Sequence, residues 1–389
     1  MFTVLTLKER SAAISLTDLL AAATGHSNHQ GTEEARRRLG TVLSRQARKE
    51  DNLRKILVFL FVAIVLSGCA HNRSAYIPYN DSGHKDAIYE WAPHDDGGEW
   101  WYLTGYASDQ NNKLYLYQIT IFRGYILHHV VPLLETYALH LSFTDCSTGQ
   151  HVFSEEIKFR SDEVYADSRC AVFKDSKICL DNHQIKIVGK SDNLKLNIEG
   201  RPIKDATWHG KDGIIVMGHP DKPKERSYYY SYTNIKTKGE IEFEDKKSNW
   251  IKIDGSGKAW FDRQWGKFSE TGWEWFSFRF FDDEEIMLFP FPRTGSKEGT
   301  YIDKKGNTIS FDNFTYTVKK FAMFNGKKIG LGWNVTVPFK EMEYEVVPIV
   351  EDQYNTSKLQ GYWEGICKVL NNRGELVGYC IIETPGSAY

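Results

Sequence analysis

Asp262 lies within the segment Ala259 to Phe280, AWFDRQWGKFSETGWEWFSFRF, with Trp260, Trp265, Trp273 and Trp275 around it and Arg263 beside it. A carboxyl group among indole rings can act as a general acid toward a substrate with no other handle, such as an unactivated C=C bond. In water an Asp of pKa about 3.9 is protonated only about one part in a thousand at pH 7; raising it by some 3 units through burial costs roughly 4 kcal/mol and yields a usable acid. The carbocation that follows protonation would rest against indole faces, each contributing about 0.5–2 kcal/mol. In an extended chain Trp260, Asp262 and Gln264 share one face and Phe261, Arg263 and Trp265 the other. That alternation holds Arg263 away from Asp262, whereas a direct pair would pin the acid as a carboxylate. The competing reading is structural: an Asp-Arg dipeptide beside Trp can lock the strands of a barrel end and specify fold rather than chemistry.

Other chemistries find little support. The sequence contains no G-x-S-x-G elbow, no H-E-x-x-H and no Cys/His cluster of zinc spacing. His128 and His129 are adjacent and point to opposite faces of a strand, so no metal is expected. Gly255-Ser256-Gly257 and Gly330-Leu331-Gly332 lack the further glycines and helix of a nucleotide loop and read as turns, so no cofactor is expected either.

The elements that must position these residues are strands. KLYLYQITIF, GIIVMG, YYYSYTNI, EWFSFRFF, EIMLFPF, FTYTVKKF, GWNVTV and YEVVPIV are short, aromatic or β-branched, and separated by turn residues. Asp303 to Asn307 and Asn371 to Gly374 have hairpin-turn chemistry. The pattern predicts an all-β antiparallel architecture, sandwich or barrel.

Upstream, Leu53 to Cys69 reads LRKILVFLFVAIVLSGC: two basic residues, a short apolar run, and Leu-Ser-Gly-Cys. The run is too short to span a bilayer comfortably and ends on Cys at the lipobox position, so residues 53–68 are expected to be a lipoprotein signal peptide and Cys69 the lipidated residue. An uncleaved membrane anchor is the alternative. Ala70 after the Cys, by resemblance to Gram-negative lipoproteins, implies export to the envelope and anchoring at the periplasmic face of the outer membrane. Residues 1–52 are expected to be a mis-called upstream extension, with a true cytoplasmic extension as the alternative. The chain from Cys69 onward carries 39 basic and 45 acidic residues, a net of −6, which makes nucleic acid an unexpected partner. The expected partners are a lipophilic small molecule and, through Cys69, the membrane.

The aromatic segment also resembles the signature of the AttH and carotenoid 1,2-hydratase family, a W-x-D-[HR]-[QE]-[WF] block followed by a G-W-x-W strand. Further blocks follow the family order: EWWYLTG (Glu99 to Gly105), YYYSYT (Tyr228 to Thr233), YWEG (Tyr362 to Gly365), and Gly378-Tyr379. The closing GYCIIETPG departs from the family's usual G-Y-x-E-L-T-G-Y. The resemblance implies two tandem lipocalin-like β-barrel or sandwich domains, drawn here as 89–233 and 234–389 after a linker at 69–88, with the boundary in the polar stretch Asn234 to Lys247. It implies a hydratase, lyase or hydrolase of lipophilic, isoprenoid-like or polyketide-like substrates, or else a non-catalytic carrier. It suggests Asp262, Arg263, Glu274 and Glu99 as catalytic groups. Trp260, Gln264, Trp265, Trp273, Trp275, Trp101, Tyr228, Tyr230 and Glu364 are the candidate substrate contacts, with Tyr102 a further group able to orient water.

Cys170 and Cys179, and likewise Cys367 and Cys380, are symmetric about turn residues and would face each other across hairpins. Both pairs are candidate disulfides, worth about 2–3 kcal/mol each, with buried free thiols as the alternative.

Overall fold

The computed structural model describes residues 77, 86–95, 97–125, 135–218, 226–267, 272–340 and 342–385. Among these there is no α-helix, and every strand pairing within the two sheets is antiparallel. The first sheet contains β1 (Gly98–Ser108), β2 (Leu114–Tyr125), β3 (Glu135–Asp145), β4 (Gln150–Phe159), β5 (Val164–Ala166), β6 (Cys170–Phe173), β7 (Ser176–Asp181), β8 (Gln184–Lys190), β9 (Leu194–Pro202), β10 (Thr207–Trp208), β11 (Ile214–Val216), β12 (Arg226–Glu244) and β13 (Trp250–Gly266). Its order is β4-β3-β2-β1-β13-β12-β9-β8-β7-β6-β5, and it curls into a nearly closed barrel.

The second sheet contains β14 (Trp275–Phe280), β15 (Glu285–Phe291), β16 (Ser296–Ile302), β17 (Thr308–Phe311), β18 (Thr315–Phe324), β19 (Lys327–Val337), β20 (Met342–Pro348), β21 (Tyr354–Asn355), β22 (Tyr362–Leu370) and β23 (Leu376–Thr384). It forms a half-barrel in the order β17-β16-β15-β14-β23-β22-β20-β19-β18. The expected all-β chain with two tandem barrel-like domains is what folds. Asp303 to Asn307 and Asn371 to Gly374 are hairpin turns, closed by Gly306 N–H to Asp303 O at 3.0 Å and Gly374 N–H to Asn371 O at 2.8 Å.

The division at 233/234 is not where the sheets part. β12 runs straight through it, and the sheets separate between Gly266 and Trp275. The polar stretch after Asn234 is a half-buried strand: Ile235, Ile241 and Phe243 enter the core while Lys236, Lys238 and Glu240 face outward. The paired glycines also lie within strands, not turns. Gly255 and Gly257 are in β13, where a Cβ on Gly257 would meet the Tyr106 carbonyl oxygen at 1.9 Å, and Gly332 sits at φ +81° in β19.

Period-two alternation distributes the apolar residues into three clusters. The barrel interior holds Trp101, Leu103, Tyr117, Tyr228, Phe261 and Trp265 among others. The half-barrel interior holds Phe276, Phe278, Trp333 and Trp363. Between the two sheets lies a third cluster that includes Tyr102, Tyr229, Trp260, Trp275, Met287 and Ile381. β3 is therefore buried along its whole length, and β14 likewise.

Candidate functional site

β13 settles the orientation of the signature. Phe261 and Trp265 belong to the barrel interior, Trp260 to the layer between the sheets. Asp262 shares the Trp260 face, is 3% exposed, and makes no ion pair with Arg263. Its Oδ1 accepts hydrogen bonds from Trp260 Nε1 at 2.5 Å and from the Ser231 hydroxyl, whose residue is its direct cross-strand partner. Burial pushes the Asp262 carboxyl up to about 7, against the lowering effect of donors on Ser231, Trp260 and Tyr229 and of the Arg279 charge.

A hydrogen-bonded chain continues from Ser231. His209 Nε2 lies 2.7 Å from Ser231 Oγ and Nδ1 lies 2.9 Å from Thr300 Oγ1, a residue of the second sheet. With the Ser231 hydroxyl given to Asp262, His209 must donate from Nε2, so Nδ1 accepts from Thr300. The imidazole is fully buried and held neutral, its pKa pushed down to about 3 by desolvation.

Across the interface stands a second acidic constellation. Tyr102 on β1 is the cross-strand partner of Asp262 and donates its hydroxyl to Glu364 Oε1 at 2.8 Å. Glu364 on β22 faces Glu383 on β23, and Glu383 accepts from Trp273 Nε1 at 2.9 Å. Burial first, and for Glu364 the adjacent Glu383, push both carboxyls up. Trp275 packs edge-on to both Tyr102 and Trp260, at centroid distances of 5.6 and 6.0 Å, and donates to the Tyr229 hydroxyl at 2.9 Å. The Arg279 guanidinium lies 5.9 Å from the Trp260 ring centroid, with hydrogen bonds to Thr104 O (3.1 Å) and Ser277 Oγ (3.2 Å). Gln264 donates to Ser227 Oγ at 2.6 Å.

The remaining sequence candidates point elsewhere. Arg263 projects into the barrel and stacks on Trp101 at 4.0 Å, with Trp265 at 5.4 Å. It pairs with Glu99, which also binds Arg123, and donates to the carbonyls of Trp91 (3.2 Å) and Ala92 (2.8 Å). Arg123 bonds Glu135 at 2.8 Å, and His94 bridges Glu99 (3.1 Å) and Glu90 (3.0 Å). These are the features of an ionic lock that pins the turn at Tyr89–Trp91 across the barrel end. Tyr230 donates to Ala87 O at 2.7 Å, and Tyr228 stacks on Trp265 at 5.6 Å, both within the barrel. Glu274 is buried and interacts with Tyr316, which packs on Phe276 in the half-barrel. Trp260, Gln264, Trp273, Trp275 and Glu364 thus join Asp262 at the interface, whereas Glu99, Trp101, Tyr228, Tyr230, Arg263, Trp265 and Glu274 do not.

Ser231, Tyr229, His209, Arg279 and Glu383 escaped the sequence reading. Ser231 and Tyr229 sit in the same YYYSYT run as Tyr228 and Tyr230, one residue away and on the opposite face. Cys170 and Cys179 form the expected disulfide, Cα atoms 4.1 Å apart. The second expected bridge is corrected: Cys367 and Cys380 are opposed across β22 and β23 but remain free thiols, fully buried in the half-barrel, their Sγ atoms turned to the carbonyls of Gly365 (3.9 Å) and Ile381 (3.7 Å). Cys69, the signal segment and His128-His129 lie outside the described residues. Two surface clefts, of about 640 and 590 Å³, lie at Ile88, Arg169 and His183 and at Phe280, Met342 and Leu376 respectively, and Asp262 lines neither. Among the described residues no group of three His, Cys, Asp or Glu is arranged to hold a metal ion.

The fold is shared with solved structures. An AttH-type protein from Nitrosomonas europaea superposes with a TM-score of 0.70 at 20% identity, over 80% of this chain and 100% of that one. Kievitone hydratase from Nectria haematococca superposes with a TM-score of 0.62 at 16% identity, over 79% of this chain and 95% of its own. Among curated proteins no relative matches the sequence. The AttH-like family model matches residues 89–387, the whole of both sheets, and the chain belongs to the AttH-like family.

Proposed function

We propose that this protein is a hydratase acting on a C=C bond of a lipophilic, isoprenoid- or polyketide-like substrate, with Asp262 as the acid. The observation that carries this reading is a carboxyl group held by Trp260 Nε1 and the Ser231 hydroxyl, buried, free of any ion pair with Arg263, and with its pKa raised to about 7. Trp260 and Ser231 both donate to Oδ1, so the acidic proton belongs on Oδ2. Protonation of one alkene carbon leaves a cation, which the Asp262 carboxylate left behind stabilises; water then adds. The Ser231, His209 and Thr300 chain orients the carboxyl and supplies a route for its reprotonation. Kievitone hydratase is, by name, a hydratase on the same fold, which supports the reaction class.

The same proposal includes export, lipidation at Cys69 and attachment to the cell envelope, resting on the Leu53 to Cys69 pattern. A second reading, a carrier of a lipophilic ligand, is favoured by one observation: the clefts do not reach Asp262, while the one lined by Phe280, Phe281, Met342 and Leu376 is partly apolar.

The test is to incubate wild type and Asp262→Asn with lipophilic extracts of the producing cells and analyse them by mass spectrometry. Hydration predicts a compound that gains one water with wild type and stays unchanged with the variant. A compound retained unchanged by both proteins contradicts hydration and supports the carrier.

A further inference from the structure

Besides Lys204 and Glu285, which neutralise each other at 2.6 Å, the interface holds the buried carboxyls of Asp262 and Glu364, the half-buried Glu383, and the buried guanidinium of Arg279. Among the described residues Arg279 has no carboxylate ion pair; its NH groups reach Thr104 O and Ser277 Oγ, and its Nε is buried without a hydrogen-bond partner. Glu364 Oε2 is also buried and unpartnered, although Oε1 accepts from Tyr102. The groups around the glutamates are Tyr102 and Thr104 on β1, Asp262 on β13, Arg279 on β14, Trp273 before it, and Tyr362 on β22. Arg279 acts on both Asp262 and Glu364.

Buried charge is tolerated only where it is balanced. With one guanidinium, the balanced state of three carboxyls has one ionised and two protonated. Desolvation assigns the first proton to Asp262, and the second must lie in the glutamate pair, because two facing carboxylates repel each other.

We propose that Glu364 and Glu383 hold one proton between them and form, with Arg279 and Tyr102, the second proton-transfer station of the site, which accepts the proton of the adding water. This rests on the reading of Asp262 as the acid. In the first step the Asp262 O–H bond breaks, a C–H bond forms on the alkene, and a cation remains on the other carbon; two carboxylates then balance Arg279 and that cation. In the second step a water oxygen bonds to the cation and the water's O–H proton passes to the ionised glutamate. The pair is then fully protonated and Asp262 is the one carboxylate left opposite Arg279. Net charge at the interface is zero before, between and after the steps. Tyr102, beside Asp262 and bonded to Glu364, lies on the path by which the extra proton returns.

The test is infrared spectroscopy of the protonated-carboxyl C=O stretch in the full-length, substrate-free protein at neutral pH. It is done in a Glu298→Gln background, because burial also pushes Glu298 up to about 7. The cluster predicts that Asp262→Asn and Glu383→Gln each remove one protonated carboxyl, and that Arg279→Met adds one. If Glu383→Gln removes none, the pair is not a proton store and the inference fails, while loss of a band in Asp262→Asn still upholds the acid. If Glu383→Gln removes one and Asp262→Asn none, the store stands and the acid assignment fails. Should Arg279→Met not fold, the other two spectra decide.

Discussion

Replacing Arg263 by Met separates the lock from the chemistry. The Arg263 side chain is fully buried and bonded to Glu99 and to the carbonyls of Trp91 and Ala92, and it stacks on Trp101. Met preserves much of the stem volume but leaves Glu99 with Arg123 and His94 alone and strands two buried carbonyls. Removing one partner of a buried ion pair costs about 3–5 kcal/mol. In a domain of this size each kcal/mol lowers Tm by about 2 °C, so the expected drop is about 6–10 °C. The pH dependence gives a second handle. Burial pushes the Glu99 carboxyl up, but Arg263, Arg123 and His94 outweigh it and hold the group well below the usual carboxylate range. A depressed carboxyl stabilises the fold above its unfolded pKa, about 4.3, and that stability is lost as pH falls below it. Wild type should therefore lose Tm steeply on acidification, and Arg263→Met should show a shallower slope. The assay is thermal denaturation followed by circular dichroism from neutral to acidic pH. A Tm change under about 2 °C with an unchanged acid slope would refute the lock and return Arg263 to the list of functional groups.

Other expectations concern the interface and the thiols. Asp262 has a raised pKa, so the native state binds its proton more tightly than the unfolded chain does; stability should fall as pH rises from about 4 to about 7, by roughly 4 kcal/mol in total, and Asp262→Asn should flatten that slope in urea titrations. Hydration activity should fall as pH rises through about 7, because the acid must be protonated, and a pH–rate profile with no such limb would contradict the mechanism. Reduction of Cys170–Cys179, which are 9 residues apart, should cost about 2–3 kcal/mol in chemical denaturation. Cys367 and Cys380 should resist alkylation in the native protein and react only after unfolding, as peptide mass spectrometry can show.

Much of the fold was legible because alternation is a local property. Trp260 and Asp262 facing one way, and Phe261, Arg263 and Trp265 the other, follow from a period of two, and the structure keeps that division. What is not local is which face of a neighbouring strand meets Asp262. In YYYSYT the aromatic Tyr228 and Tyr230 carry the stronger sequence signal, yet the register sets Ser231 opposite Asp262 and turns Tyr228 and Tyr230 into the barrel. His209 and Glu383 reach the interface from segments remote in sequence and carry no spacing signal linking them to Asp262, whereas Arg279 lies in the same Ala259 to Phe280 segment, at even spacing from Trp275 on β14, which was the available sign. The sheet boundary was misplaced because a strand with a polar outer face resembles a linker when only aromatic density is counted; Ile235, Ile241 and Phe243 at alternate positions were the available sign.

Acid-catalysed hydration requires Asp262 to be a neutral acid near neutrality. Titrating its side-chain carboxyl by carbon-13 NMR, with Asp262→Asn to assign the resonance, measures that directly. A midpoint near 7 is expected; a midpoint in the ordinary carboxylate range of about 3–4 would make Asp262 a permanent carboxylate and contradict acid-catalysed hydration at this site.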